Sequence, residues 1–558
     1  MMRKQLRRRI VLGLSGLAAT SLAAPDAHAC GGFFCNAAQP VIQTGEAIIF
    51  TVDLETRTVE ATINIAYQGQ ASDFAWILPL QSAPTAIELG STLAFQVMQQ
   101  LTSPRFQLSS VENLGICEVP GQFAYDGVTS ECVGGGCGEP AGSGHVDILQ
   151  QSEVGPYDTV VLSGKTAEDI RQWLVDDGYN VSDAMMQQVV PYVAQGDALM
   201  ALQLQKDQSV GDIQPIKVVM SGDRACVPLR LTAIAAQDDM QVLVGILSNH
   251  GRAIPENYFH VTPNLARIDW RGGGANYSPL IAEAVDEGQG NAFTTEFAGP
   301  SAIFAQQIYV PGRIDVAALA AASRIDEFLR LVVQMGLTNR SELLGILTRA
   351  ISDEVLAAVP ISRTAINRCV RCVVGVFGEA TMDSATAAQE IQERILDPEQ
   401  KAQASFDKFR YFTRLNTFIS PAEMGIDPDF SFSSTLPDVS NAHSAKMIRD
   451  CGAGGPPGSA VTHLILEDGT QIDFEGDGTT FLDAMPAAAK VEQLAQGLVI
   501  RDNTAAIKAM LDEQNARTAG GCGCRAGTAR RRILSSAALV GGLALALGLR
   551  RRRYSARR

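Results

Sequence analysis

Val59, Ala61, Ile63, Ile65 and Tyr67 alternate with Glu60, Thr62, Asn64 and Ala66, an apolar/polar alternation in which only Ala66 departs from the polar set. Only a β-strand sends successive side chains to opposite faces, so this stretch demands a sheet with one buried and one mostly wet face. Glu46 to Val52 precedes it across the polar turn Asp53 to Thr56, which makes the two an antiparallel hairpin. Phe74 to Leu80 is nearly all apolar and reads as a buried strand, which Pro79 places at a sheet edge or a strand end.

The same reading predicts a helix over 83–101, with Leu89, Leu93, Val97 and Leu101 at four-residue spacing. Residues 117–155 are Gly-rich and irregular, as an inserted loop would be. A strand at Tyr157 to Leu162 and helices at Thr166 to Gly178 and Asp183 to Gln195 follow. Four strand-like runs come next, at Leu199 to Leu204, Ile216 to Met220, Leu229 to Ile234 and Gln241 to Leu247. Strands grouped on both sides of a few helices argue α+β, an antiparallel sheet with inserted helices.

After Gly312 the pattern turns helical. Ser323 to Asp326 has the spacing of a capping box, Thr338 is placed to cap the next helix, and helices are expected to about Leu415. A hairpin is expected at Val461 to Leu466 and Thr470 to Phe474 around Asp468-Gly469, then one helix within Ala487 to Gln514 opened by Pro486. The expected units are an α+β ectodomain at 30–312, a mostly helical region at 313–420, and a hairpin, helix and spacer at 421–521.

Both ends have the composition of address segments. Arg3, Lys4 and Arg7 to Arg9 precede an apolar run from Ile10 to Ala24, then Ala27-His28-Ala29 ahead of Cys30. This is a secretory signal over 1–29 with cleavage between Ala29 and Cys30; acylation of Cys30 and a twin-arginine route are the alternatives. Ile533 to Leu549 is an apolar stretch bracketed by Arg530 to Arg532 and Arg550 to Arg553. As a helix it would rise about 25 Å, at the low edge of what spans a bilayer. The heavier Arg cluster would keep the tail cytoplasmic. Gly520-Gly521-Cys522-Gly523-Cys524, the short span and the Arg-rich end resemble the myxobacterial C-terminal sorting signal (MYXO-CTERM). That resemblance implies that 522–558 is a sorting tail, with Cys522 or Cys524 as the processing and lipidation point and delivery to the outer surface. A plain C-terminal membrane anchor is the alternative.

Setting aside five basic residues and Asp26 in the signal, and ten arginines after Cys524, leaves 30 basic against 59 acidic groups, a formal charge of −29. Such a field repels phosphate backbones, which argues against nucleic acid as a partner. An acidic coat also keeps an exported protein soluble.

Eleven cysteines in 558 residues are too few for a disulfide scaffold, but in an exported chain they should be oxidised where geometry allows. Cys30 and Cys35 could close a ring at the mature N-terminus, and Cys117, Cys132 and Cys137 lie in the Gly-rich excursion. Cys369-Val-Arg-Cys372 has thiol-redox spacing without a thioredoxin-like context. An inert structural bridge is expected there, within the pair or to Cys226 or Cys451.

The segments Ala29 to Phe34, Ser72 to Pro79, Tyr192-Val193 and Val227 to Thr232, in this order, are similar to an exported bacterial family of unknown function. It is number twenty-three thirty in the domain-of-unknown-function series. The resemblance runs from about Cys30 to Asp269 and implies no activity, substrate or catalytic residue.

Searched directly, the sequence yields little chemistry. Ser405-Phe-Asp-Lys408 is a Ser-x-x-Lys without its companion motifs. His250 and His260 flank a turn and would need a third partner to bind metal or move a proton. Asp473, Glu475 and Asp477 resemble part of a calcium loop but lack the distal Glu. No cofactor is expected beyond this weak calcium candidate. The reading is a non-enzymatic protein at the cell surface or outer membrane of a Gram-negative-type bacterium. It would be held by its tail and would bind a protein, a peptide or the envelope. The alternative is an exported enzyme, a thiol oxidoreductase using Cys369 and Cys372 or a carboxylate-based hydrolase.

Overall fold

A computed structural model of the chain describes residues 42–68, 75–113, 147–164, 166–176, 181–205, 213–450, 461–475 and 482–519. The fold is mixed α+β, organised on one ten-stranded sheet. Its strands are β1 (Ile42–Asp53), β2 (Thr58–Gln68), β3 (Pro84–Leu89), β4 (Ile216–Ser221) and β5 (Ala236–Ser248), followed by β6 (Phe259–Pro263), β7 (Ala292–Pro300), β8 (Tyr411–Ile419), β9 (Ala488–Gln493) and β10 (Leu498–Asp502). Their order across the sheet is β10-β9-β6-β7-β8-β5-β1-β2-β4-β3.

The hairpin read from the alternation is β1-β2, in register from Asp53 against Thr58 to Glu46 against Ile65. Val59, Ala61 and Ile63 are buried, as the period of two requires. The sheet is mixed, however, and not antiparallel. β1 runs parallel to β5, with Ala47 opposite Leu243 and Thr51 opposite Leu247, and β6 runs parallel to β7. The long excursion between β2 and β5 returns the chain in the direction of β1, which a hairpin cannot do.

β1 is buried on both faces. Ile48, Phe50 and Val52 join Val244 and Ile246 against a second, antiparallel sheet in the order Ala75–Leu80, Ala198–Leu204, Tyr157–Ser163, Asp147–Val154. Trp76, Leu78, Met200 and Leu202 face the large sheet from it, so the first layer pair is a β-sandwich. Pro79 sits on the edge strand of this second sheet, paired with Leu199. On the opposite face of β1, Ile49 packs with Phe95 and Met98 of the helix Thr92–Thr102 and with Phe304, Phe406 and Phe412.

A third sheet, in the order Gln471–Glu475, Val461–Leu466, Ala442–Asp450, Arg105–Asn113, contains the expected hairpin, and Gly469 takes the positive φ of its turn. A small sheet pairs Asp429–Ser433 with Ala225–Cys226 and Arg252–Pro255. Short helices between Val316 and Lys408 bury their own core, including Leu319, Phe328, Leu329, Val332, Leu343, Leu347 and Ile391.

Several local expectations are corrected. Within 83–101, Pro84–Leu89 is strand β3 and the helix starts after Ser91, whose hydroxyl accepts the Ala94 N–H at 3.1 Å. Gly90 is required between them, because a Cβ there would run into Thr62 and Pro215. Leu229 to Ile234 is a helical turn, Leu229–Thr232, and not a strand. The helices end at Lys408, and Tyr411–Ile419 is an interior strand of the large sheet. Ala488–Gln493 and Leu498–Asp502 are strands joined by a 3-10 turn, and the α-helix is confined to Thr504–Ala519.

The capping box expected at Ser323 does not form: Arg324 is the N-cap of Ile325–Gln334 without a side-chain cap bond, and Glu327 Oε2 instead accepts the Ser323 N–H at 2.9 Å and hydroxyl at 3.0 Å. Asp326 turns inward and accepts the N–H groups of Gly375 and Gly378, at 2.7 and 2.9 Å. Thr338 lies in a 3-10 turn and does not cap Glu342–Ala350. Among the described residues no helix is long and apolar enough to cross a membrane. Ile533 to Leu549 lies outside the described residues, as do Ala29, Cys30, Cys35, Cys117, Cys132, Cys137, Cys451, Asp477, Cys522 and Cys524.

Candidate functional site

The second sheet carries helices on the face turned away from the sandwich. Ile77, Leu162, Leu199 and Ala201 pack under Ile170, Trp173 and Leu174 of Ala167–Asp176 and under Met186 and Tyr192 of Asp183–Gln195. Beside Trp173 this face opens as a groove of about 630 Å³. Val160, Ala201 and Ile148 line it with apolar surface, and Gln151, Glu153, Asp158 and Gln203 with polar surface. Asp158 accepts Gln205 Nε2 at 3.0 Å, and the hydroxyls of Ser152 and Thr159 lie 2.9 Å apart. Among the described residues the lining has two carboxylates and no basic side chain. A volume of this size suits a small ligand or a few residues of a peptide. Asp147–Val154, at one side of the groove, is the end strand of its sheet among the described residues.

A second cleft, lined by Glu60, Lys217, Lys401 and Ser405, has a volume of about 30 Å³. That admits about one water molecule. Ser405 Oγ donates to Glu60 at 3.3 Å, and Glu60 is held by Lys217 Nζ at 2.9 Å. Lys408 pairs with Asp53 at 2.9 Å, so the two ends of the Ser-x-x-Lys motif serve different carboxylates.

Around the turn Leu229–Thr232, with members on β1 and on the helix Asp183–Gln195, lies a polar cluster that the sequence did not announce. Pro228 starts the short helix Leu229–Thr232, which carries Thr232 to Glu46 Oε2 at 3.3 Å. Gln43 Nε2 donates to the same oxygen at 3.2 Å. Glu46 is fully enclosed on β1, and burial pushes its carboxyl up to about 7, with Asp427 adding to the rise. Asp427 accepts the Arg230 N–H at 2.9 Å; burial is the main reason its carboxyl is raised. Tyr192 lies against Asp427 without a well-aligned hydrogen bond, and burial raises its phenol. Cys226 is a free thiol raised well above its ordinary value, first by burial and then by Asp429. Of these, Tyr192, Arg230 and Thr232 stand in the sequence only as motif positions, and Cys226 only as a possible bridge partner. Glu46 and Asp427 had no signal, because both are single acids in an acid-rich chain.

The candidate residues separate in space. Cys369 and Cys372 are bridged to each other, and Cys226 takes no part. His260 is buried and finds partners that the sequence could not name. Its Nε2 lies 3.1 Å from Thr295 Oγ1 and 3.4 Å from Arg252, and its Nδ1 4.0 Å from Glu492. Burial, with Arg252 adding to it, lowers its imidazole to about 3, so the ring is neutral. His250 stands apart from this group, with its ring 6.2 Å from that of Phe432. Asp473 accepts Gln471 Nε2 at 2.8 Å and lies 2.7 Å from His463 Nδ1 across the hairpin. Among the described residues no group of three or more His, Cys, Asp or Glu is arranged to hold a metal ion. Glu475 ends the strand Gln471–Glu475.

A family model for uncharacterized proteins conserved in bacteria (DUF2330) matches residues 24–327, more than half of the chain. The chain belongs to this family. In this DUF2330 protein the motif segments that the structure describes meet in one place. Ile77, Tyr192 and Leu231 share the core under the groove-bearing sheet. The matched range stops inside the helical region, and β8, β9 and β10 of the large sheet lie beyond it. No curated protein and no solved structure matches the chain.

Proposed function

We propose that this protein is exported to the cell surface, where its ectodomain binds an extended, basic or neutral peptide segment of an envelope partner in the groove beside Trp173. The observation that carries the reading is the groove itself, about 630 Å³, with apolar surface among polar groups and, among the described residues, only carboxylates as charges. A terminal strand such as Asp147–Val154 can pair with an added strand, while Glu153 and Asp158 select for positive side chains. The exported location rests on the composition of the two ends, and the tail serves as the sorting and membrane-holding element.

The test uses the mature protein and Lys-containing extended peptides, with tryptophan fluorescence as the readout. Reversing both acids, Glu153→Lys with Asp158→Lys, is expected to weaken binding about ten-fold or more, in a salt-dependent way. Affinity that is unchanged by the reversal, or no peptide binding at all, would refute the assignment of the groove.

A further inference from the structure

We propose that Cys369–Cys372 is an exchangeable disulfide, a surface site for the thiolates of small dithiols, with attack directed to Cys372 and Cys369 as the leaving sulfur. The bridge joins residues three apart in a single turn, and Cys372 is exposed whereas Cys369 is half-buried. An incoming thiolate therefore has access to the Cys372 sulfur. The Cys372 N–H lies 3.2 Å from Cys369 Sγ and is shared with the Cys369 carbonyl at 3.0 Å. A donor already aimed at that sulfur stabilises the negative charge it takes on when it leaves. Arg368, just before the pair, and Arg371, between its two cysteines, are both exposed and add positive potential.

The turn does not depend on the bridge for its place in the fold. Val370 and Val373 are buried in the helical core, and the following residues are held through the Asp326 carboxylate, which accepts the Gly375 and Gly378 N–H groups. Reduction thus leaves the turn anchored at both ends. In the first step a thiolate of the dithiol forms a bond to Cys372 Sγ, and the electron pair of the Cys369–Cys372 bond goes to Cys369 Sγ, which takes a proton from solvent. In the second step the other sulfur of the dithiol, deprotonated, attacks its partner sulfur in the mixed disulfide and releases Cys372 as a thiolate, which is then protonated. The protein gains two electrons and two protons, and the dithiol becomes a cyclic disulfide.

The experiment exposes the native full-length protein to dithiothreitol, quenches with a maleimide and maps the modified peptides by mass spectrometry, with tryptophan fluorescence recorded in parallel. The expected result is reduction of the pair by millimolar reagent while the fluorescence stays native. A pair that opens only when the protein is unfolded in urea overturns the proposal. Direction is tested by exposing the wild-type protein briefly to reduced glutathione and quenching in acid. The trapped mixed disulfide should sit on Cys372 about ten-fold more often than on Cys369. Equal or reversed occupancy overturns the assignment of the attacked sulfur.

Discussion

Substituting Glu296 by alanine tests whether the large sheet depends on charge buried at its centre. Glu296 on β7 is 1 % exposed at its side chain and pairs with Arg414 of β8, 5 % exposed, at 2.5 Å. It also accepts Asn416 Nδ2 at 2.7 Å and the Tyr277 hydroxyl at 3.1 Å. Burial and the neighbouring Glu296 keep the Tyr277 phenol well above its ordinary value, so it remains a donor. Removing the carboxylate strands a buried guanidinium, at a cost of about 3–5 kcal/mol. It also strands two neutral donors, each costing about 1 kcal/mol or more. Among the described residues, Arg414 keeps only the Thr102 hydroxyl at 3.4 Å as a remaining side-chain hydrogen-bond partner.

The expected loss for Glu296→Ala is therefore about 5–7 kcal/mol, well above the typical single substitution. Urea unfolding followed by tryptophan fluorescence measures it, and Trp270 reports locally, since it packs edge-on against Phe106 beside Tyr277. Replacing both charges, Glu296→Leu with Arg414→Met, should recover about 3 kcal/mol relative to the sum of the single variants, because no charge is then left unpaired. A single-variant loss under about 1 kcal/mol, or a coupling energy near zero, would refute the claim that the pair is buried and mutually dependent.

Two further perturbations follow from the same structure. Glu46, raised from 4.5 to about 7, favours the protonated carboxyl in the fold, so its contribution is complete below pH 4.5 and is lost as pH rises through about 7. Unfolding across that window should show a decline of about 3 kcal/mol that Glu46→Gln removes; an unchanged pH profile in the variant would show that Glu46 titrates normally. Asp326→Ala should cost about 3 kcal/mol through the lost charge-assisted bonds to Gly375 and Gly378, and hydrogen exchange should find these two amides deprotected while the core helix Ile325–Gln334 stays protected. Retained protection at both glycines would mean that the carboxylate does not hold the loop.

The sequence by itself determined the elements whose side-chain period reports burial directly. The β1-β2 hairpin, the Asp183–Gln195 helix and the hairpin around Asp468-Gly469 were all readable, because each buries an apolar face next to a polar one or turns on a dipeptide suited to positive φ. Family membership was likewise readable from short motifs, and the structure gives those it describes a shared place, the core under the groove.

Tertiary structure alone decided the rest. Tyr411–Ile419 hid as a strand because Thr413, Arg414 and Asn416 are buried polar residues, and what makes them tolerable, the Ala253 N–H, Glu296 and Gln241, lies far away in the chain. Parallel pairing of β1 with β5 is equally invisible to a local pattern, since it depends on where a long excursion returns. The groove and the Glu46 cluster are products of convergence. Their residues come from separate segments, and only close approach in a low-dielectric interior gives an ordinary glutamate a carboxyl that holds its proton near neutral pH.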